Sequence, residues 1–171
     1  MKKSAHQVLI LGVSGSGKST VGLALANALG GEFVDADDIH SPEAIDMMAR
    51  GIPLTEQQRG PWITRLCQHL TRYSSKQQSI VMAVSGLKRA HRLLLQNACD
   101  HCTTFLLSLP ASVLQQRLDN RKGHFFPAKL LDSQLATLEF PAPDENVVVL
   151  DGTQSIPELV AQCREKLNEN T

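Results

Sequence analysis

Short apolar runs rich in β-branched residues alternate along the chain with longer stretches in which apolar positions recur every three or four residues. The runs cover residues 8–11, 32–35, 80–84, 103–109 and 147–150, and their length and near-continuous hydrophobicity predict strands buried on both faces. Helices are predicted between and after them, over 18–29, 42–49, 56–73, 88–97, 111–120, 127–138 and 157–168. Strands that alternate with helices imply parallel pairing, because each crossover returns the chain to the same end of the sheet. The expected architecture is therefore α/β, with a five-stranded parallel sheet between two helical layers.

Two stretches break the regular alternation. The gap between the second and third strands holds more helix than one crossover needs, and residues 121–126 interrupt the helical pattern that follows the fourth strand. In open α/β sheets ligands bind beyond the carboxyl ends of the strands. The insertion at about 40–75 is thus a candidate substrate wall, and about 117–138 a candidate lid, within one domain spanning 1–171.

Composition narrows the class of partner. The chain has 171 residues, with 17 Lys and Arg balancing 17 Asp and Glu, and only 4% aromatics. Neither a basic excess nor a set of stacking rings is present, which argues against nucleic acid as the main partner. At 42% hydrophobic and 20% charged the chain has an ordinary globular balance. The longest apolar runs fall far short of the ~20 residues that span lipid, so no membrane partner is expected. Lys2 and Lys3 before residues 8–13 only imitate a signal peptide, since the stretch is short and runs into a glycine-rich segment, and a cytoplasmic location is expected. Cys99-Asp-His-Cys102 has the spacing of half a zinc site, but no second Cys/His pair at ligand spacing accompanies it. Reduced structural thiols are expected there, as for Cys67 and Cys163.

The sharpest chemical signal is Gly12-Val13-Ser14-Gly15-Ser16-Gly17-Lys18-Ser19, which fits G-x-x-x-x-G-K-[ST] between a predicted strand and a predicted helix. Its glycines let backbone N–H groups curl around phosphate oxygens at a helix N-terminus. Lys18 would reach the β and γ phosphates of a nucleotide, and Ser19 would ligate Mg²⁺. A guanine-specifying N-K-x-D is missing, and the third strand ends Val84-Ser85 without the aspartate of a Walker B motif. Asp151 closes a Walker B-like run on the last strand, but it is expected to be a loop residue far from the phosphates.

Asp35-Ala36-Asp37-Asp38 supplies acid at the end of the second strand, so one carboxylate can face Mg²⁺ while another holds an acceptor hydroxyl and takes its proton. Cations gather elsewhere. Lys88, Arg89 and Arg92 open the helix after the third strand, and Arg117, Arg121, Lys122 and His124 fall in one turn and the loop beyond it. Arg117 and Arg121, four apart, are expected to share a helix face and clamp a transferring phosphoryl group, with Gly123 as hinge.

Together with G-V-S-G-S-G-K-S, several further segments resemble the gluconate kinases, or gluconokinases, a P-loop family related to shikimate and nucleoside monophosphate kinases. They are D-A-D-D-I-H from Asp35, M-A-R-G-I-P-L from Met48, R-G-P-W from Arg59, S-G-L-K from Ser85, R-K-G-H-F-F from Arg121 and S-Q-L-A-T-L-E from Ser133. The resemblance implies the nucleoside-monophosphate-kinase-like fold, a cytoplasmic homodimer, and transfer of the γ phosphoryl group from ATP to the 6-hydroxyl of D-gluconate with Mg²⁺. It further implies that Lys18 and Ser19 hold phosphate and Mg²⁺, with Asp35 as the second metal ligand, and that Asp37 contacts the acceptor hydroxyl. His40, Arg59, Lys88, Arg92 and His124 would line the sugar-acid pocket, and Arg117 and Arg121 would lie over ATP.

The sequence departs from the family pattern on the acceptor side. Ser41 and Ala44 replace a proline and an asparagine, Met47 replaces a lysine, and an acidic pair before Arg59 is reduced to Glu56 with Gln58. Val84, Gly86, His91 and Leu93 are further replacements. A related sugar acid as acceptor, or a nucleotide-binding regulatory protein with a decayed acceptor site, remains a second expectation from these changes.

Overall fold

The computed structural model describes residues 4–121 and 128–170. Its strands are β1 (Gln7–Leu11), β2 (Glu32–Asp35), β3 (Ile80–Val84), β4 (Cys102–Ser108) and β5 (Val147–Asp151). They pair as one parallel sheet in the order β2-β3-β1-β4-β5. The central β1 is flanked by β3 and β4 in a register that sets Leu11 beside both Val84 and Leu106, so the strands finish together at one edge. All residues of β1 and β3 are buried, as their apolar runs require of central strands, and the one polar member, Gln7, is satisfied by donating from Nε2 to the Gln78 carbonyl at 3.1 Å.

Helices α1 (Lys18–Leu29), α2 (Pro42–Ala49), α3 (Glu56–Ser75), α4 (Arg89–Gln96), α5 (Ala111–Asp119), α6 (Ala128–Thr137) and α7 (Ile156–Glu169) complete the chain, with a 3₁₀ turn over Ala36–Ile39. Capping chemistry explains several of their ends. Thr55 with Gln58, and Ser155 with Glu158, form capping boxes that start α3 and α7. Ser41 caps α2 by accepting from the Ala44 N–H at 3.1 Å. Gly30 at φ 67° stops α1, a left-handed position that suits glycine.

Alternation along the strands divides the core between the two faces of the sheet. Val8 and Ile10 of β1 face one side, with Val21 and Leu25 of α1 and Leu159, Cys163 and Leu167 of α7. Leu9 and Leu11 face the other, against Trp62, Leu66 and Leu70 of α3 and Leu95 of α4. Full burial of each such aliphatic side chain is worth roughly 1.5–3 kcal/mol, so the central strands are the most firmly fixed part of the molecule. A smaller cluster, Val13, Leu114, Leu118 and Leu131, seats the loop after β1 on α5 and α6.

Sequence expectations and structure differ at several boundaries. β4 starts and stops one residue earlier than expected, and α3 continues to Ser75. Helix α5 ends at Asp119, so Arg121 lies beyond it and shares no helix face with Arg117. Asp151, expected in a loop, is the last residue of β5, paired in register with Ser108. Most of the interruption expected over 121–126, with Lys122, Gly123 and His124, lies outside the described residues.

Candidate active site

Residues Gly12 to Ser19 occupy the carboxyl end of β1, between strand and helix as their sequence requires. The Gly12 N–H donates to the Ser85 carbonyl at 3.3 Å, and the Ser16 N–H to the Val13 carbonyl at 3.1 Å, which bends the loop back on itself. Gly15 and Gly17 take φ of 84° and 90°, where a side chain is strained. A Cβ on Gly12 would collide with Ser16 Oγ, itself buried and unpartnered among the described residues. The loop feeds α1, whose N-cap Gly17 makes no side-chain cap bond, so the positive end of the helix faces the concavity. Desolvation pushes the Lys18 ammonium pKa down, while Asp37 and Asp35 oppose it and Arg121 adds to it.

The acids lie across from this loop. Ser19 Oγ donates to Asp35 Oδ2 at 2.7 Å, and the Asp37 N–H donates to Asp35 Oδ1 at 3.0 Å. Asp35 thereby ends β2, caps the 3₁₀ turn and joins the Ser19 hydroxyl to the turn that bears Asp37. Asp37 is exposed as a residue, yet its carboxyl is desolvated within the cleft, which pushes its pKa up; Lys18 pulls the other way and Asp35 reinforces the rise. Trp62 holds the turn from below, donating from Nε1 to the Ala36 carbonyl at 2.8 Å and stacking on His40 with ring centroids 4.1 Å apart. Arg65 Nε donates to the Ile39 carbonyl at 3.2 Å. Desolvation lowers the pKa of His40, against the pull of Asp37, while Arg65 and Arg59 also lower it. His40 therefore lies between the acid and the cations of α3.

Two of the cations expected at the acceptor pocket meet on one carboxylate. Glu56 Oε1 accepts from Lys88 Nζ at 2.8 Å and from Arg59 Nη1 at 2.9 Å, and Oε2 lies 3.0 Å from His91 Nε2. The hydrogen bond from Lys88, with His91 and Arg59, holds the Glu56 pKa at about 2. Arg92, also expected there, is placed differently. It is 1% exposed, its Nη2 donates to both oxygens of Glu145 at 2.8 Å, and its Nη1 donates to the carbonyls of Gly86 and Leu87 at 2.9 and 3.1 Å. Its charge is spent inside the protein, where it shapes the loop before Lys88 instead of facing a ligand.

On the far side of the phosphate loop, Gly15, Gly17, Thr20, Arg117, Arg121, Gln154, Ser155 and Ile156 line a cleft of about 330 Å³. Arg117 and Arg121 thus meet at this cleft although only one is helical. Arg117 Nη1 lies 3.4 Å from the Ser16 carbonyl, and its Nη2 donates to the Gly152 carbonyl at 3.1 Å, so it bridges the phosphate loop to the segment after β5. Thr20, Gln154, Ser155 and Ile156 were not legible as site residues, because the capping box at Ser155 masks any other role. Asp151 is turned away onto Thr153, accepting from its N–H at 3.0 Å and its hydroxyl at 2.6 Å. His124 lies outside the described residues. Cys102 opens β4, at the end of the sheet opposite the phosphate loop, and is a free thiol hydrogen-bonded to the free thiol of Cys99.

Gln134 of α6 is a further residue of the site that no local pattern marks. Its Oε1 accepts from the Ser14 N–H at 2.8 Å, and its Nε2 donates to Ser14 Oγ at 3.0 Å. The segment that carries it, S-Q-L-A-T-L-E, was the available signal.

Comparison with known proteins agrees with this geometry. A family model described as an AAA domain matches residues 8–141. A probable gluconokinase of Mus musculus is 39% identical, over 94% of this chain and 96% of its own length. A sugar kinase from Janibacter superposes with a TM-score of 0.89 at 41% identity, covering 96% of this chain and 95% of its own. A gluconokinase from Sinorhizobium meliloti gives 0.84 at 35% identity, covering 99% of both. With the phosphate loop, the paired acids and the cations on α3 and α4 in place, and full-length relatives well above 30% identity, the chain belongs to the gluconokinase family of P-loop small-molecule kinases.

Proposed function

We propose that this kinase transfers the γ phosphoryl group of ATP to the 6-hydroxyl of D-gluconate, giving 6-phosphogluconate and ADP. The observation that carries the reading is the contact of Ser19 with Asp35 at 2.7 Å, which sets the acid-bearing turn against the phosphate loop. Across that turn, Lys88 and Arg59 supply fixed positive charge for a substrate carboxylate.

The oxygens of Ser19 and Asp35 form a hard donor set that fits Mg²⁺, an ion commonly held by one or two protein groups together with substrate phosphates. Bound there, Mg²⁺ would neutralise charge on the β and γ oxygens. Backbone N–H groups of the loop cradle the phosphates, and Lys18 follows the charge as it moves toward the bridging oxygen. Asp37 orients the acceptor hydroxyl and accepts its proton as the new O–P bond forms and the bond to the departing ADP breaks. Arg121 and Arg117 border the same loop and stabilise the transferring group.

Two of the acceptor-side replacements are in contact. Met47 and Gln58, standing where the family resemblance places a lysine and an acid, touch each other, with Gln58 Nε2 3.5 Å from Met47 Sδ. Gln58 also completes the cap of α3. A coupled assay of ADP release across a panel of sugar acids tests the proposal. Turnover that depends on gluconate is expected, and turnover with a different acid alone would reassign the acceptor. The reading carries with it a cytoplasmic homodimer, which light scattering and cell fractionation check.

A further inference from the structure

We propose that the end of α6 and the residues that follow it form a two-ended positioning segment that sets the phosphate loop and the acceptor-side Lys88 in register, with Gln134 on the helix and Glu139 just beyond it as its two positioning residues. The inference rests on Lys88 belonging to the acceptor side.

The apolar face of α6 already touches both ends of the site. Leu131 is buried with Val13 of the phosphate loop and with Leu114 and Leu118 of α5, and Leu135 and Leu87 pack on the same cluster. Polar ties then fix each end. At the nucleotide end, a primary amide is needed to accept from the Ser14 N–H and donate to the Ser14 hydroxyl at once, and Gln134 does both. Asparagine is one methylene shorter, and glutamate lacks the donor.

At the acceptor end, Glu139 grips the residues on either side of Lys88. Its N–H donates to the Leu87 carbonyl at 2.8 Å, and its Oε2 accepts from the Arg89 N–H at 2.8 Å. Helix α4 has no side-chain cap of its own at Lys88, so Glu139 supplies that cap from another element. The Leu87 carbonyl also accepts from Arg92, which leaves the backbone around Lys88 with little freedom. Only five positions separate Gln134 from Glu139, whereas Ser14 and Arg89 are far apart in sequence. A short segment, carried past the end of α6 by the bond from the Leu138 N–H to the Gln134 carbonyl at 2.9 Å, therefore spans the donor and acceptor halves, and a shift at one end is passed to the other.

Binding of Mg·ADP, measured by calorimetry on the full chain, tests the coupling without any acceptor. Glu139→Ala removes a cap that belongs to the acceptor side, yet it should weaken Mg·ADP binding by roughly fivefold. Glu139→Gln, whose amide oxygen can still accept from the Arg89 N–H, should bind nearly as the parent does. In the reverse direction, Gln134→Leu should raise KM for the sugar acid as well as for ATP. Mg·ADP binding to folded Glu139→Ala within twofold of the parent, or a Gln134→Leu effect confined to ATP, would overturn the proposal. Because the calorimetric arm uses no acid, it stands apart from the identity of the acceptor, which the ADP-release assay decides.

Discussion

Both oxygens of Asp35 are occupied, one by the Ser19 hydroxyl and the other by the Asp37 N–H, and this commitment divides the labour between the acids. Asp35 is an anchor for the turn, and in the proposed reaction it would also hold Mg²⁺ while the Asp37 carboxyl meets the acceptor hydroxyl. Replacing Asp37 by Asn should lower kcat by about 10²–10⁴-fold with Mg·ADP binding retained, as steady-state kinetics and calorimetry together would show. The pH profile carries its own sign. The Asp37 pKa is raised above the ordinary 3.8, so as pH falls the base is lost earlier than for an ordinary aspartate. The acid limb of kcat/KM should accordingly lie above that value in the parent. The acids were legible in the sequence as D-A-D-D, but the cause of their separation was not. Residues two apart on a continuous strand share a face. These diverge because β2 ends at Asp35 and a 3₁₀ turn begins at Ala36.

Among elements, most of the sheet and helices could be read from hydrophobic periodicity, since most strands hold a short apolar run and the starts of α2, α3 and α7 carry a visible cap. What could not be read were ties between elements distant in sequence. Arg92 looked like one more cation opening α4, and its burial depends on Glu145, 53 residues further on. Both side chains of that pair are only 2% exposed. Glu145→Ala should therefore cost about 3–5 kcal/mol, because it strands a buried guanidinium. Replacing both residues with apolar ones of similar volume should recover much of that loss, and urea unfolding would measure each step. Gln134 was hidden for the same reason, its partner Ser14 lying 120 residues away. Arg121 was legible by type and misplaced by element, since α5 stops two residues before it.

For the whole molecule, equal totals of acid and base conceal their placement along the carboxyl edge of the sheet. Acids gather after β2, cations flank them on α3, α4 and α5, and the phosphate loop lies between. Nucleotide binding should stabilise the entire chain, since the loop issues from the central strand. Mg·ADP at about 100 times its Kd adds roughly 2.7 kcal/mol, which for a chain of this size raises Tm by about 5–10 °C. Lys18→Ala should remove most of that shift in a melting scan while leaving the unliganded Tm little changed.

Trp62 gives this arrangement an optical consequence. It is the single tryptophan of the chain, and it sits under the acid-bearing turn with its ring against His40. Excitation of indole therefore interrogates one place in the molecule, and the emission of the native protein is a label-free signal from the turn that presents Asp37.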